Sequence, residues 1–451
     1  EMLRSLVGSE MCIRDRFSNL KLRASYGMMG DDNLGGLYPD FAYLSGYTYY
    51  KGQSLMPDDP FSSVKSKKVI GSAPKGIPVT TISWMKIKLM NVGIDFGFFD
   101  NRLTGEFDLF KRMRDGIPGT PSDIMFPLET GLSALPENMN SDMTVGFDAF
   151  VKWNDKVGDL KYSVGANITF ARQKNGKRHG EIFGNAWDKY RWAQSNRWSN
   201  VVLNTDQGNA GGVWMWEVIG RFETQEQIDS YPVDQDGQNN ATVRPGDVIL
   251  RDVNGDGIIN DFDERPQAYA SADWPWDSST SNKNPLISMG INLGFEWKGV
   301  DVAADFAGGF KNTFVADWDL KWGVTRSVNG YYYNNIDVWR HEDIFDPKSP
   351  WIPGKFPALR GQESHSGRWW NSFYTREVNY LRLRNLVVGY SLPKNWIRKV
   401  GMEQCRIYFQ GTNLFCLSSL HDYGFDPEIS TVNGQDYPQH KVLTLGVNVK
   451  F

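Results

Sequence analysis

The end of this chain, His440 to Phe451, limits what it can fold into more than any other stretch. Val442, Thr444, Gly446, Asn448 and Lys450 alternate with Leu443, Leu445, Val447, Val449 and Phe451. A two-residue repeat of side-chain character belongs to a strand and not to a helix. One set is wholly apolar and ends on the terminal aromatic, while the other is small or polar. A strand with lipid on one side and a wet lumen on the other has this character. Nowhere does an apolar run reach the ~18 residues of a membrane-crossing helix. The 40% apolar content and mean hydropathy of −0.46 agree with that exclusion. A transmembrane barrel passes the same test, because only every second strand residue meets lipid.

The alternation recurs at about residues 18–28, 41–50, 84–98, 102–113, 141–153, 159–171, 285–297, 300–310, 372–392, 403–416 and 439–451, eleven strand candidates in all. In 84–98 the predicted outward set is Val92, Ile94, Phe96 and Phe98, with Asn91, Gly93, Asp95 and Gly97 inward. In 159–171 it is Leu160, Tyr162, Val164, Ala166, Ile168 and Phe170. In 285–297 it is Ile287, Met289, Ile291, Leu293, Phe295 and Trp297. The last two sets are unbroken over the ~9–11 residues that a tilted membrane strand needs. Tight turns are expected at Asp100-Asn101, Asn154 to Gly158 and Lys298-Gly299. Long segments, about 51–83, 114–140, 172–284, 311–371 and 417–437, lie between them. Short turns at one end and long loops at the other is the outer-membrane arrangement, with the long loops outside the cell. Within the loops Thr224 to Tyr231 and Asn334 to His341 read as short helices, and Pro393 to Val400 as a helical turn on the opposite side.

Aromatic residues make up 14% of the chain, with 17 Trp. Barrels concentrate such residues in girdles at the two water interfaces. A net charge of −4 without a basic stripe argues against a nucleic-acid partner. Cys405 and Cys416 stand on one strand candidate roughly 35 Å apart, too far to bridge. Residues 1–16 lack strand alternation and read as a non-native prefix, or else as a short native helix; the barrel portion is assigned to 17–451.

Several stretches form a recognisable set. They are Tyr380-Leu-Arg-Leu-Arg-Asn-Leu-Val-Val-Gly-Tyr-Ser-Leu-Pro393, Arg406-Ile-Tyr-Phe-Gln-Gly-Thr-Asn-Leu-Phe415, Phe425-Asp-Pro-Glu428 and Tyr437-Pro438. Leu20 to Gly27 and Asn91 to Phe98 join them nearer the start. Together they resemble the C-terminal end of the SusC/RagA-like family of TonB-dependent outer-membrane transporters. Met85 departs from the pattern, which usually has Glu after the Trp84 position. The resemblance implies an all-β, antiparallel transmembrane β-barrel fragment, about 11 strands of a barrel of about 22. It implies a non-enzymatic importer of oligosaccharides, other glycans or peptides in the outer membrane of a Gram-negative bacterium. Its partners would be a SusD-like surface lipoprotein lid and TonB, the latter contacted through a plug segment expected to be missing here.

The sharpest local motif is Asp252-Val-Asn-Gly-Asp-Gly-Ile-Ile-Asn-Asp-Phe-Asp263. Asp252, Asn254 and Asp256 would offer calcium side-chain oxygens at loop positions 1, 3 and 5, Ile258 its carbonyl at 7, and Asp263 a carboxylate at 12. Gly257 stands at the tight turn and Asn260 at position 9. The alternative is an Asp/Asn/Gly turn held by side-chain to backbone hydrogen bonds. Trp214, Trp216, Trp274 and Trp276 are candidates for stacking on substrate or meeting a partner, against the alternative of packing within the loop. Glu106/Asp108 and Asp426/Glu428 are set aside as glycosidase pairs, because nothing distinguishes the surroundings of the two members. The His residues show no metal spacing, and no phosphate-binding loop precedes a helix.

The rival reading is a secreted calcium-binding all-β protein that binds or cleaves carbohydrate; a siderophore receptor is a variant of the first. The outward strand faces separate the two main classes, being covered by a second sheet only in the rival. Eleven strands would make the first and last run the same way. An even-stranded closed barrel forbids pairing them, so an open half-barrel with strands 18–28 and 439–451 at free edges is expected, with an odd number of strands still to come.

Overall fold

The computed structural model describes residues 17–32, 43–51, 70–74, 77–81, 83–121, 126–127, 134–177, 186–187, 189–190, 213–268, 285–315, 337–358, 371–421, 425–428 and 439–451. Ten strands among them form one antiparallel sheet. In chain order they are β1 (Phe17–Asp31), β2 (Met85–Phe98), β3 (Leu103–Gly119), β4 (Glu137–Val157) and β5 (Leu160–Asn175). β6 (Ile287–Trp297), β7 (Val300–Val315), β8 (Thr375–Ser391), β9 (Gln404–Ser418) and β10 (Val442–Lys450) complete them. Each strand pairs with the next, so the sheet is a meander.

The sheet is open in the expected sense, since β1 and β10 are its two edges and do not pair. The count differs by one. The candidate at 41–50 forms Tyr47–Lys51, which pairs with Ile70–Pro74 in a hairpin apart from the main sheet. Alternation is a property of any strand with two unlike faces, and it carries no information on depth in a membrane. With ten strands β1 runs opposite to β10, so the parallel-edge argument and the odd remainder both fall.

The turns follow their sequences. Lys298 and Gly299 both have positive φ, 46° and 88°, and join Trp297 to Val300 in register. A two-residue loop with two left-handed residues matches the twist of the strands it joins. Gly158 and Asp159 join β4 to β5, beyond the expected Asn154 because β4 runs on to Val157. Residues 99–102 join β2 to β3. Between β8 and β9, Pro393 precedes a short helix, Lys394–Ile397, which runs into a 3-10 turn, Arg398–Val400, that ends at the left-handed Gly401. These four connections lie at one end of the sheet and the long ones at the other. Of the loop helices, Gln225–Asp229 forms with Thr224 as its N-cap. Arg340–His341 is strand instead, paired with Trp351–Ile352.

Candidate functional site

The two faces of the sheet differ along every strand. On one, Leu22 is 77% exposed and Leu445 81%, with Val92, Leu109, Val164, Leu293 and Val447 also exposed. Register places the outward sets expected for 159–171 and 285–297 side by side, Ile168 beside Met289 and Tyr162 beside Phe295. Phe107, Phe147 and Phe170 stack across β3, β4 and β5 at 5.9 and 5.7 Å, as cross-strand aromatic pairs do. Near the turns Phe99 meets Trp153 edge-on at 5.9 Å. Among the described residues no second sheet covers this face.

The opposite face is polar and cross-linked by charge. The Arg23 guanidinium on β1 donates to Asp95 on β2 and Asp108 on β3, each at 2.8 Å. To reach Asp108 it passes over Gly93, where an added Cβ would meet the Asp108 carboxylate. The same device recurs farther round. Arg406 on β9 donates to Asp301 on β7, one contact at 2.9 Å, across Gly389 of β8, whose Cβ would meet both partners. The glycines inside Asn91-Val-Gly-Ile-Asp95 and Asn385-Leu-Val-Val-Gly389 thus have a physical reason: each lets an arginine bridge two strands apart. Asp108 is one of these bridge acceptors.

Toward the loop end the remaining motif residues meet. Arg382 and Arg384 on β8 face Asp426 and Glu428 of the Phe425 to Glu428 turn. Arg382 Nη2 donates to Asp426, and its Nε lies 2.9 Å from Glu428 Oε2 as an ion pair outside the angular range of a hydrogen bond. Arg384 reaches Glu428 Oε1 at 2.5 Å, and Gln439 Nε2 closes the group on Oε2 at 3.0 Å. Arg382 is buried, and the Asp426 and Glu428 side chains are only about a tenth exposed. A buried charge left alone costs several kcal/mol, so each motif requires the other. Strand periodicity misses this group; matching Arg-x-Arg with Asp-Pro-Glu as equal and opposite charges would have found it. Beside it Phe314, Val338, Phe356, Tyr374, Val378 and Leu420 form an apolar core that fastens the 337–358 loop to β7 and β8.

The largest described loop segment, 213–268, is a folded unit with its own interior. Phe222, Ile228, Val243 and Ile249 form one cluster, and Trp216, Leu250 and Ile259 another. Trp216, a stacking candidate, is an interior residue: it is buried and its indole N–H donates to the Asn260 carbonyl at 2.8 Å. Its own carbonyl accepts from Ser372 N–H at 2.9 Å, tying the unit to the start of β8. Trp214 lies on the short strand Val213–Met215, opposite Pro266. Trp274 and Trp276 lie outside the described residues.

Of the calcium candidates, Asn254, Asp256 and Ile258 are exposed on this unit, Asp252 is half-buried and Asp263 lies inside. Asp252 accepts from Gly255 and Gly257 N–H at 2.6 and 2.9 Å. Asp256 accepts from Ile258 N–H at 2.9 Å and from the Asn254 side chain at 2.8 Å. Asp263 is fully buried; its oxygens accept from Val253 N–H and, in a capping box, Asn260 N–H, both at 2.9 Å. Gly257 is left-handed at φ 83°. Among the described residues no three His, Cys, Asp or Glu side chains are arranged to hold a metal ion. Side-chain to backbone bonds brace the turn, and Asp263 caps it from the buried side. A second acidic turn lies alongside, with Asp234 N–H donating to the Gly257 carbonyl at 2.9 Å. Within it, burial pushes the Asp236 carboxyl up, but donors from Thr242, Gln238 and Asn240 outweigh this and hold it at about 2.

An antiparallel meander with one uncovered apolar face, an ion-paired polar face and its long connections at one end is the wall of an outer-membrane β-barrel. Comparison with known proteins narrows the class. No protein-family model matches the chain. TonB-dependent receptor SusC of Bacteroides thetaiotaomicron is 22% identical over 446 residues, covering 96% of this chain and 38% of that receptor. TonB-dependent receptor P39 of Formosa agariphila is 22% identical over 485 residues, covering 96% and 40%. The solved RagAB peptide transporter superposes with a TM-score of 0.60 at 20% identity, over 97% of this chain and 41% of that one. The chain is similar over nearly its whole length to TonB-dependent receptors of the SusC/RagA kind, and it spans about two fifths of the length of the relatives it matches.

Proposed function

We propose that this chain forms wall and outer loops of a TonB-dependent importer of an oligomeric nutrient, an oligosaccharide or a peptide. The carrying observation is the pairing, in one sheet, of an uncovered apolar face with a polar face bridged by arginines. The first suits lipid and the second a wet passage. The relatives are receptors and transporters by name, which supports solute import over hydrolysis. The secreted carbohydrate-binding alternative requires a covering layer on the apolar face. Expression of the full-length protein should place it in outer-membrane fractions, soluble only with detergent, and confer TonB-dependent uptake of an oligomer. Recovery as a detergent-free soluble protein would reject the reading.

A lid protein on the loop side is part of the proposal. The turn 341–351 is braced by Ser349 Oγ on the Asp343 carbonyl and by His341 stacked on Trp351 at 4.0 Å. It presents Ile344 and, at 89% exposure, Phe345. An apolar pair on a braced turn suits a protein contact, such as a SusD-like lipoprotein, since truncating such anchors commonly costs about 2 kcal/mol or more of binding. Ile344→Ala with Phe345→Ala should therefore weaken copurification of the lid roughly 30-fold. Unchanged recovery would remove this turn from the contact.

Calcium at 252–263 is a further part, supported by the spacing of Asp252, Asn254, Asp256 and the Ile258 carbonyl. Asp263 is committed to backbone donors and is left out of the ligand set. Equilibrium dialysis of the folded protein against millimolar calcium should show one ion bound and lost in Asp256→Asn; no uptake rejects it.

A further inference from the structure

On the polar face, about midway along β1 to β4, Ser25, Leu89, Asn91, Phe110, Arg112 and Thr144 line a recess of about 400 Å³. Arg112 is exposed there, and among the described residues it has no hydrogen bond or ion pair. Its condition contrasts with the arginines around it. Arg114, two residues on, engages both carboxylate oxygens of Asp142, one at 2.8 Å. Arg23 holds Asp95 and Asp108. The cross-strand neighbours of Arg112 are Leu89 on β2 and Thr144 on β4, neither of them acidic.

The walls explain why the recess exists. Leu89 is paired with Gly27 of β1, and a Cβ at Gly27 would meet nothing within 4 Å, so the β1 side is open. Phe110 lies over Gly146, filling the β4 side and leaving a flat apolar floor. Neutral hydrogen-bonding groups, Ser25, Asn91 and Thr144, are among its lining residues. A guanidinium with no internal counter-charge, beside an aromatic floor and neutral polar groups, is complementary to a carboxylate carried on a compact apolar body. Arginine supplies paired donors in the geometry that a carboxylate accepts.

We propose that this recess is a binding subsite in which Arg112 takes the carboxylate of the solute. The assignment to solute rests on the reading of the polar face as a passage. It favours acidic cargo, a peptide terminus or an acidic sugar, over neutral cargo.

The test uses the full-length protein in detergent, labelled with phenylglyoxal and read by peptide mass spectrometry. Hippurate, an aromatic body with a carboxylate, is the probe, and hippuramide its neutral control. Arg112 should react about tenfold faster than Arg23 and Arg114, whose guanidinium groups are engaged. Millimolar hippurate should slow Arg112 labelling at least about threefold and hippuramide should not. By equilibrium dialysis, Arg112→Gln should weaken hippurate binding about tenfold or more. An unreactive Arg112 in the wild type would mean that an acidic side chain of the protein itself fills the recess, overturning the proposal. Equal protection by both probes, or by neither, overturns it too. Labelling reads the site, whereas cellular uptake reads the transport on which the solute assignment rests, so the two failures are distinguishable.

Discussion

The sheet and the 213–268 unit obey opposite rules about the same residue types. In the unit Phe222 and Leu250 are fully buried, as water demands of large apolar side chains. In the sheet Leu22 and Leu445 are uncovered, and strand order comes from the backbone ladder and the arginine bridges. The difference shows that exposure alone does not measure a fold; the solvent assigned to each face does. One chain here solves two solvation problems.

The largest expected effect falls inside the water-soluble unit. Phe222→Ala should cost about 3–5 kcal/mol locally, enough to open the unit to protease on intact cells. The heat-resistant mobility of the barrel in gels should remain. If both change together, the two regions are one cooperative body and the contrast is wrong.

Leu445→Arg probes the other rule. At mid-membrane it should cost about 2–4 kcal/mol, seen as a lower urea midpoint for refolding of the full-length protein into vesicles, with the loop unit still protected. A midpoint like that of the wild type would mean that Leu445 does not face lipid.

The smallest effect sharpens the contrast by pH. Asp236 is held at about 2, below its ordinary 3.8. A depressed carboxyl contributes stability that is fully present above the ordinary value and lost as pH falls through the lowered one. Protection of 213–268 should therefore decline between about pH 4 and pH 2, and Asp236→Asn should flatten that decline while weakening the unit at neutral pH by about 1–3 kcal/mol. An unchanged profile in the variant would show that Asp236 is not the group responsible.

These regions also differ in how far the sequence revealed them. The apolar sets at 159–171 and 285–297 were readable residue by residue, because a two-residue period states which face each side chain takes. The same period misled at 41–50, where Tyr47–Lys51 pairs with Ile70–Pro74 outside the main sheet. Trp216 and Asp263 were harder still. An indole in a Trp-rich stretch can stack outward or fill an interior, and a carboxylate twelve positions along an acidic turn can bind an ion or cap a backbone. Only tertiary position separates those outcomes. Arg382 and Glu428 carried a legible charge match that periodicity does not examine.

The tight turns at 99–102, 158–159 and 298–299 bear on assembly. They join strands that are neighbours in the chain, so the β2–β3, β4–β5 and β6–β7 hairpins close with little loss of chain entropy. Bringing β5 to β6 means closing residues 176–286, at an added entropic cost of about 3 kcal/mol by the logarithmic loop law. Hairpins should thus form before the ladders between them, on a rate scale set by local contacts. The 213–268 unit lies within the costly connection. Once folded it shortens the flexible chain to be closed, and so can speed the joining of the two halves of the wall.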